Sequence, residues 1–232
     1  MDYAEGGNLW DVLESIPDGT VPESDLRWWI PQVVSAIHWC HTQGFAHRDV
    51  KPHNFVLTPT AHVLLIDFGS AAPLLPPRVD GSQLIPQRYC LVPCGTCDYI
   101  SPEILKAHEE ALVALEMEDD DDGFPIERKE VDGYGVETDW WSLGAMLYEM
   151  AYGVAPFFAP DIKQTYTNIM NYEVIFLSYS PLCPLTLFFR RALNSIDELG
   201  FPVTTEIFLP GRPSFSIILV LQPIYWQITH HC

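Results

Sequence analysis

Apolar positions recur at helical spacing in several parts of this chain. In residues 8–15, NLWDVLES, Leu9, Val12 and Leu13 share one face and Asn8 stands where a helix cap belongs. The spacing predicts a longer helix over 24–44, with Leu26, Trp29, Ile30, Val33 and Ile37 on its inner side, Ser24 as cap and Gly44 as stop. Pro31 then either kinks that helix or sits in the first turn of one that begins near Trp29. Two short apolar runs, 55–57 and 62–66, flank the residues TPTA and read as a small hairpin. Helical spacing returns over 138–153, where Trp141, Met146, Leu147 and Met150 are the expected core and Gly153 the stop. A last helix is expected over 160–172, with Ile162, Tyr166 and Ile169 on one side. Residues 71–93 are proline-rich and irregular, and 173–232 have weak periodicity and no assignable fold.

Composition narrows the function classes. The chain has 232 residues, enough for one large domain or two small ones, and 48% hydrophobic content permits a sizeable core. Against 12 bases there are 31 acids, a formal charge of -19. That balance argues against a nucleic-acid or membrane-surface binder and leaves room for cationic partners. The run EMEDDDD, inside an acidic insertion at about 106–132, reads as a solvated loop, with recruitment of a basic partner as the alternative. The longest apolar run near the end, FSIILVL at 215–221, is too short to span a bilayer, so no transmembrane segment is predicted. Six cysteines without a secretory signal read as cytoplasmic thiols, with the nucleus as the alternative. Cys94 and Cys97 form CGTC, but a second ligand pair at zinc spacing is missing.

The chemistry concentrates around the hairpin. HRDVKPHN (47–54) enters its first strand and DFG (67–69) leaves its second, with thirteen residues from Asn54 to Asp67. Phosphoryl transfer needs an oriented hydroxyl, neutralised phosphates and held magnesium. Asp49 suits the first task and Lys51 the second. Asn54 offers a neutral oxygen and Asp67 a charged one, both suited to a hard cation. Either tripeptide alone is a weak signal; the ordered set is strong.

These motifs, with CGTCDYISPEIL (94–105) and DWWSLGAMLYEM (139–150), resemble the C-terminal lobe of eukaryotic protein kinases over residues 1–172. GVETDWWSLGAMLYEMAYGVAPFFA is similar to the Rho-kinase and myotonic-dystrophy-kinase group of the cyclic-nucleotide-dependent kinase superfamily. The resemblance implies an α+β, predominantly helical lobe with a small β-hairpin, and a serine/threonine protein kinase using ATP and Mg2+ on protein substrates. It implies that Asp49 is the catalytic aspartate, Lys51 the phosphate-contacting lysine, and Asn54 and Asp67 the magnesium ligands. Thr96 is expected to brace Asp49 and Lys51, and Asp139 to anchor the catalytic-loop backbone. Glu103 is expected to pair with an arginine, for which Arg190, Arg191 and Arg212 are candidates. His47 and Phe68 resemble internal-spine residues. Backbone groups of Asp2 and Ala4 are expected to meet adenine, with Leu9 and Val56 beneath it.

Four departures qualify that expectation. No Gly-rich loop, strand lysine or helical glutamate precedes MDYA, so the sequence reads as a fragment whose N-terminal lobe is absent and whose isolated activity is doubtful. A non-catalytic kinase-like binding or scaffold module is therefore the alternative function. RYCLVP, before CGTC, has no Ser or Thr to carry an activating phosphate, which leaves Arg48 without that partner; Ser82 and Tyr89 are poor replacements. Asn8 and His53 stand where basic-directed relatives carry acids, while Glu149 is retained at a position linked to substrate arginine, predicting an altered preference for basic residues. Finally, the helical closure expected after about Tyr172 is not recognisable.

Overall fold

The computed structural model describes residues 6–17, 19–79, 81–91, 94–118 and 133–171. Helix α1 (Leu9–Ser15) starts at a reciprocal capping box. Asn8 Oδ1 accepts from Asp11 N at 3.0 Å, and Asp11 Oδ2 accepts from Asn8 N at 2.9 Å. Helix α2 (Glu23–Thr42) begins earlier than its cap signal suggests. Its N-cap is Pro22, and Ser24 lies in the first turn with its hydroxyl donating to Asp25. The helix runs through Pro31 because the residues on either side, Trp29, Ile30, Val33 and Val34, are buried and hold the flanking turns. Gly44, at φ 83°, turns the chain after the helix.

Two antiparallel ribbons follow, and their connectivity builds the site. Strand β1 (Phe45–Ala46) pairs with β4 (Ala72–Pro73), and β2 (Phe55–Leu57) pairs with β3 (Val63–Leu65). The link from β1 to β2 is residues 47–54, and the link from β3 to β4 is residues 66–71. Both links therefore cross between the same two ribbons, which forces HRDVKPHN and DFG side by side. Helix α2 fixes the hairpin: Gln32 Oε1 accepts from Val63 N at 3.1 Å, and Trp28 Nε1 donates to Ala61 O at 3.1 Å. Strand β4 lies in 71–93, a stretch whose proline content had suggested only irregular chain.

Helix α4 (Glu137–Tyr152) is the centre of the lobe. Every residue from Thr138 to Ala151 is buried, as expected of a helix enclosed on all sides, and Gly153 closes it in the left-handed conformation at φ 77°. One core cluster joins α4 to α1, α2 and the hairpin; a second joins it to Ile85, Ile104, Phe157 and Ile169. Trp141 stacks on Phe157, and Trp140 is also buried, so both tryptophans serve the core.

Two expectations change. Helix α3 (Pro102–Glu118) occupies the first part of the segment read as an acidic loop. Its Ala, Leu and Glu content is strongly helix-forming, and that propensity prevails over the charge pattern. Residues 119–132 lie outside the described residues. In α5 (Ile162–Asn171), Ile169 is buried but Ile162 is exposed, and Thr165 takes the inner place instead. Thr165 Oγ1 accepts from Ala159 N at 3.1 Å, which ties the start of the helix to the preceding turn. Among the described residues no helix is long and apolar enough to cross a membrane. The segment 173–232 lies outside the described residues.

Candidate active site

Asp139 organises the site from beneath. It is fully buried in the first turn of α4. Its Oδ2 accepts from His47 N at 2.8 Å and from His41 Nε2 at 2.7 Å, and its Oδ1 accepts from Arg48 N at 2.6 Å. Burial alone raises a carboxyl pKa, but the His41 pairing and the two backbone donors outweigh it and hold Asp139 below its ordinary 3.8. These bonds keep Arg48 at φ 65°, a conformation a non-glycine residue rarely adopts.

Among the described residues, the Arg48 guanidinium donates to neutral acceptors. Nε donates to Ser70 O at 2.7 Å, and Nη1 donates to Tyr89 O at 2.6 Å and to the Tyr134 hydroxyl at 3.1 Å. The arginine expected to lack a phosphate partner is held here by two carbonyls and a phenol. The arginine thus links the 47–54 loop to the segment after DFG and to the turn before α4.

Above this base, Asp49 and Lys51 meet. Lys51 Nζ lies 2.8 Å from Asp49 Oδ2 and donates to Thr96 Oγ1 at 2.8 Å, while the Thr96 hydroxyl donates to Asp49 Oδ1 at 2.9 Å. The carboxylate, ammonium and hydroxyl form a closed triangle. The Lys51 and Asp49 side chains remain 20% and 12% exposed, so the triangle is reachable from outside. Gly95 permits it: at φ 96°, its missing Cβ would lie 2.9 Å from Arg48 O.

Asn54 is buried and donates through Nδ2 to Asp49 O at 2.8 Å and to Asp49 Oδ2 at 3.2 Å. Its amide nitrogen is spent, which leaves Oδ1 as the atom suited to a cation. Ile66 N donates to Asn54 O at 2.9 Å, which ties the residue before Asp67 to Asn54. Asp67 adopts the left-handed conformation, is exposed, and accepts from Gly69 N at 3.2 Å. His47 closes the group: Nδ1 accepts from Asp49 N at 3.3 Å, and Nε2 donates to Ile66 O at 2.9 Å.

The remaining candidates divide. Phe68 packs edge-on against His47 but is 48% exposed, so it is not the core residue its type suggests. Leu9 is wholly buried, and Val56, half-buried, is bridged through its backbone to Asn8. Glu149 is buried and its Oε2 accepts from the Tyr99 hydroxyl; burial raises its pKa, opposed by that bond. Glu103 opens α3 partly buried, and its candidate arginines lie outside the described residues. Asp2 and Ala4 also lie outside them. Burial pushes the Cys94 and Cys97 thiols up, and among the described residues no group of three or more His, Cys, Asp or Glu is placed to hold a metal.

His41 and Tyr134 are site residues that motif spacing did not single out. His41 bonds a residue 98 positions away, and Tyr134 one 86 positions away. The only local signal for His41 is its place in the last turn of α2, six residues before His47.

Known proteins are similar to this chain in sequence. The family described as protein kinase domain matches residues 1–118. MRCK beta of Homo sapiens, a serine/threonine-protein kinase, is 39% identical over 173 residues, covering 75% of this chain and 8% of its own. Genghis Khan of Drosophila melanogaster, also a serine/threonine-protein kinase, is 39% identical over 176 residues, covering 76% and 9%. Citron rho-interacting kinase of Rattus norvegicus is 34% identical over 173 residues, covering 75% and 7%. The chain thus spans less than a tenth of the length of these relatives. With the ordered motifs folded around one triangle of side chains, the chain belongs to the protein kinase domain family, among eukaryotic serine/threonine kinases similar to the Rho-kinase/MRCK group.

Proposed function

We propose that this chain carries the catalytic-loop half of an ATP-dependent serine/threonine protein kinase, which transfers the γ-phosphoryl group of ATP to Ser or Thr hydroxyls of a protein substrate. The observation that carries this reading is the triangle of Asp49, Lys51 and Thr96. Asp49 orients the acceptor hydroxyl and takes its proton. Lys51 offsets negative charge on the group in transfer, a role that depends on its being held beside Asp49 before substrate arrives. Thr96 fixes both partners at once. Asp139 holds the loop backbone that presents Asp49, and Arg48 holds the DFG-side segment against it.

The donor set fits magnesium. One neutral oxygen, Asn54 Oδ1, and one exposed carboxylate, Asp67, are what a cation that keeps most of its coordination for phosphates and water requires. Asn54 and Asp67 would hold Mg2+, which would supply charge neutralisation at the phosphate oxygens of ATP. In the same reading, backbone groups of Asp2 and Ala4 meet adenine above Leu9 and Val56, and Glu149 and Glu103 support the substrate-facing segment.

The test is transfer of labelled phosphate from ATP to Ser-, Thr- and Tyr-containing peptides with Mg2+. With an N-terminal kinase lobe supplied, Ser and Thr peptides are expected to be labelled, and Asp49→Asn to lower the rate by about 10²- to 10⁴-fold. Equal labelling by the native chain and Asp49→Asn sinks the assignment. An absence of labelling in both, with protein binding indifferent to the substitution, supports a kinase-like binding module instead.

A further inference from the structure

The chain reads PLLPPR over 73–78, shortly after DFG, and the chemistry above uses none of it. Proline sets the backbone of this run. Each proline locks its own φ near about −65° and keeps the residue before it out of the helical region, so Leu75 and Pro76 are extended. Residues 74–78 accordingly belong to no helix, strand or turn. Consecutive prolines favour the polyproline II helix, which needs no internal hydrogen bonds.

The fold ties the run at both ends and leaves its middle in solvent. Pro73 pairs with Phe45 in the β1–β4 ribbon, Leu74 N donates to Gly44 O at 2.8 Å, and Leu75 N donates to Leu84 O at 2.8 Å. Leu84 is bridged in turn to Gly135, which anchors this base to the segment before α4. On the far side, Arg78 N donates to Ser82 O at 2.8 Å and Gly81 N donates to Arg78 O at 2.9 Å, turning the chain back. Between the ties, Leu75, Pro76, Pro77 and Arg78 are all exposed, and Val79 after them wholly so. Among the described residues no donor reaches the Pro76 or Pro77 carbonyl, and no carboxylate pairs with Arg78. A run held extended in advance loses little conformational freedom when it is bound.

The chemistry of the run selects its partner. Proline rings fill slots between aromatic side chains, and a guanidinium one step beyond them calls for a carboxylate. The free part of the run holds one such step. Ala72 is wholly buried and Pro73 is held against Phe45, so a groove that must read two separated Xaa-Pro steps cannot engage the folded chain.

We propose that residues 75–78, LPPR, are a docking motif for a partner domain of the WW class, whose groove offers one slot between two aromatic side chains, with an acidic residue beside it for Arg78. The motif lies outside the phosphoryl-transfer site, and its test does not read phosphotransfer.

The probe is a purified WW domain selected for Pro-Pro-Arg peptides, titrated calorimetrically into the full chain. An SH3 domain selected for Pro-x-x-Pro-x-Arg peptides is the comparison. The WW domain is expected to bind the folded chain. The SH3 domain is expected to bind a free peptide of residues 71–83 but not the chain, because Pro73 is paired there. Pro77→Ala and Arg78→Ala are each expected to weaken the WW domain by roughly tenfold. Both side chains are exposed, so the urea midpoints of the two variants are expected to match that of the native chain, which separates a lost contact from a lost fold. Added salt is expected to weaken binding to the native chain and to leave the residual binding of Arg78→Ala unchanged. Failure of the WW domain to bind the full chain overturns the proposal, even where it binds the free peptide. Binding that survives Arg78→Ala at full strength, or an SH3 domain that binds the folded chain in its place, overturns it as well.

Discussion

A single buried carboxylate, Asp139, supports two strained or crowded backbone positions and one imidazole. Its two oxygens are shared among His47 N, Arg48 N and His41 Nε2. Asp139→Ala leaves those donors without their acceptor in a closed interior, and is expected to cost about 3–5 kcal/mol, measured by urea unfolding. The sign with pH follows from the depressed folded-state pKa. Asp139 contributes its stability above the unfolded value of 3.8 and loses it as pH falls through the lower folded value. An unchanged urea midpoint in the variant contradicts this account. At this scale much of the site was legible before folding. Asp49, Lys51, Asn54 and Asp67 stand at fixed spacings around a hairpin, and Thr96 and Asp139 lie in the longer matched runs. His41 and Tyr134 were not, because a His in a helix and a Tyr in a loop are ordinary core residues until the chain brings a distant partner to them.

At the level of elements, local chemistry decides how well the 47–54 turn is supported. Helix α1 has only seven residues, too short to persist without tertiary contacts, and its start depends on the Asn8–Asp11 box. Asn8→Ala is expected to destabilise the chain by about 1 kcal/mol. Amide exchange reads the effect directly: protection of Leu9 to Leu13 is expected to fall while that of the α4 core stays high. Equal loss in both elements contradicts a local role for the cap. The same contrast explains which elements could be read in advance. Helices α1, α2 and α4 and the β2–β3 hairpin carry strong periodicity and end at Asn, Gly or tight-turn residues. The β1–β4 ribbon has two residues per strand, one of them Pro73, and its pairing is set by the crossing loops rather than by its own sequence. Helix α3 was obscured by the acidic run that begins in its last turn, although its own residues favour a helix.

Across the whole molecule, several carboxylates are held more protonated than their exposed counterparts. Burial raises Glu137, opposed by the Gly135 N–H; burial raises Glu149, opposed by the Tyr99 hydroxyl; and burial raises the more accessible Asp98. A raised folded-state pKa means that the native state holds protons the unfolded chain has released. Stability is then full below the unfolded value, 4.5 for the two glutamates, and falls as pH rises through the folded values. The formal charge of -19 adds self-repulsion of the same sign as the remaining acids ionise. Asp139 acts in the opposite direction, but only below 3.8, outside this window. The melting temperature is therefore expected to decline as pH rises above 4.5 through the raised folded values. Glu137→Gln with Glu149→Gln keeps an oxygen for Gly135 N and for the Tyr99 hydroxyl while removing both titrations. That double variant is expected to decline less steeply over the same interval. A native melting temperature that rises across the interval, or a double variant with an unchanged slope, shows that these two carboxylates do not set the pH response.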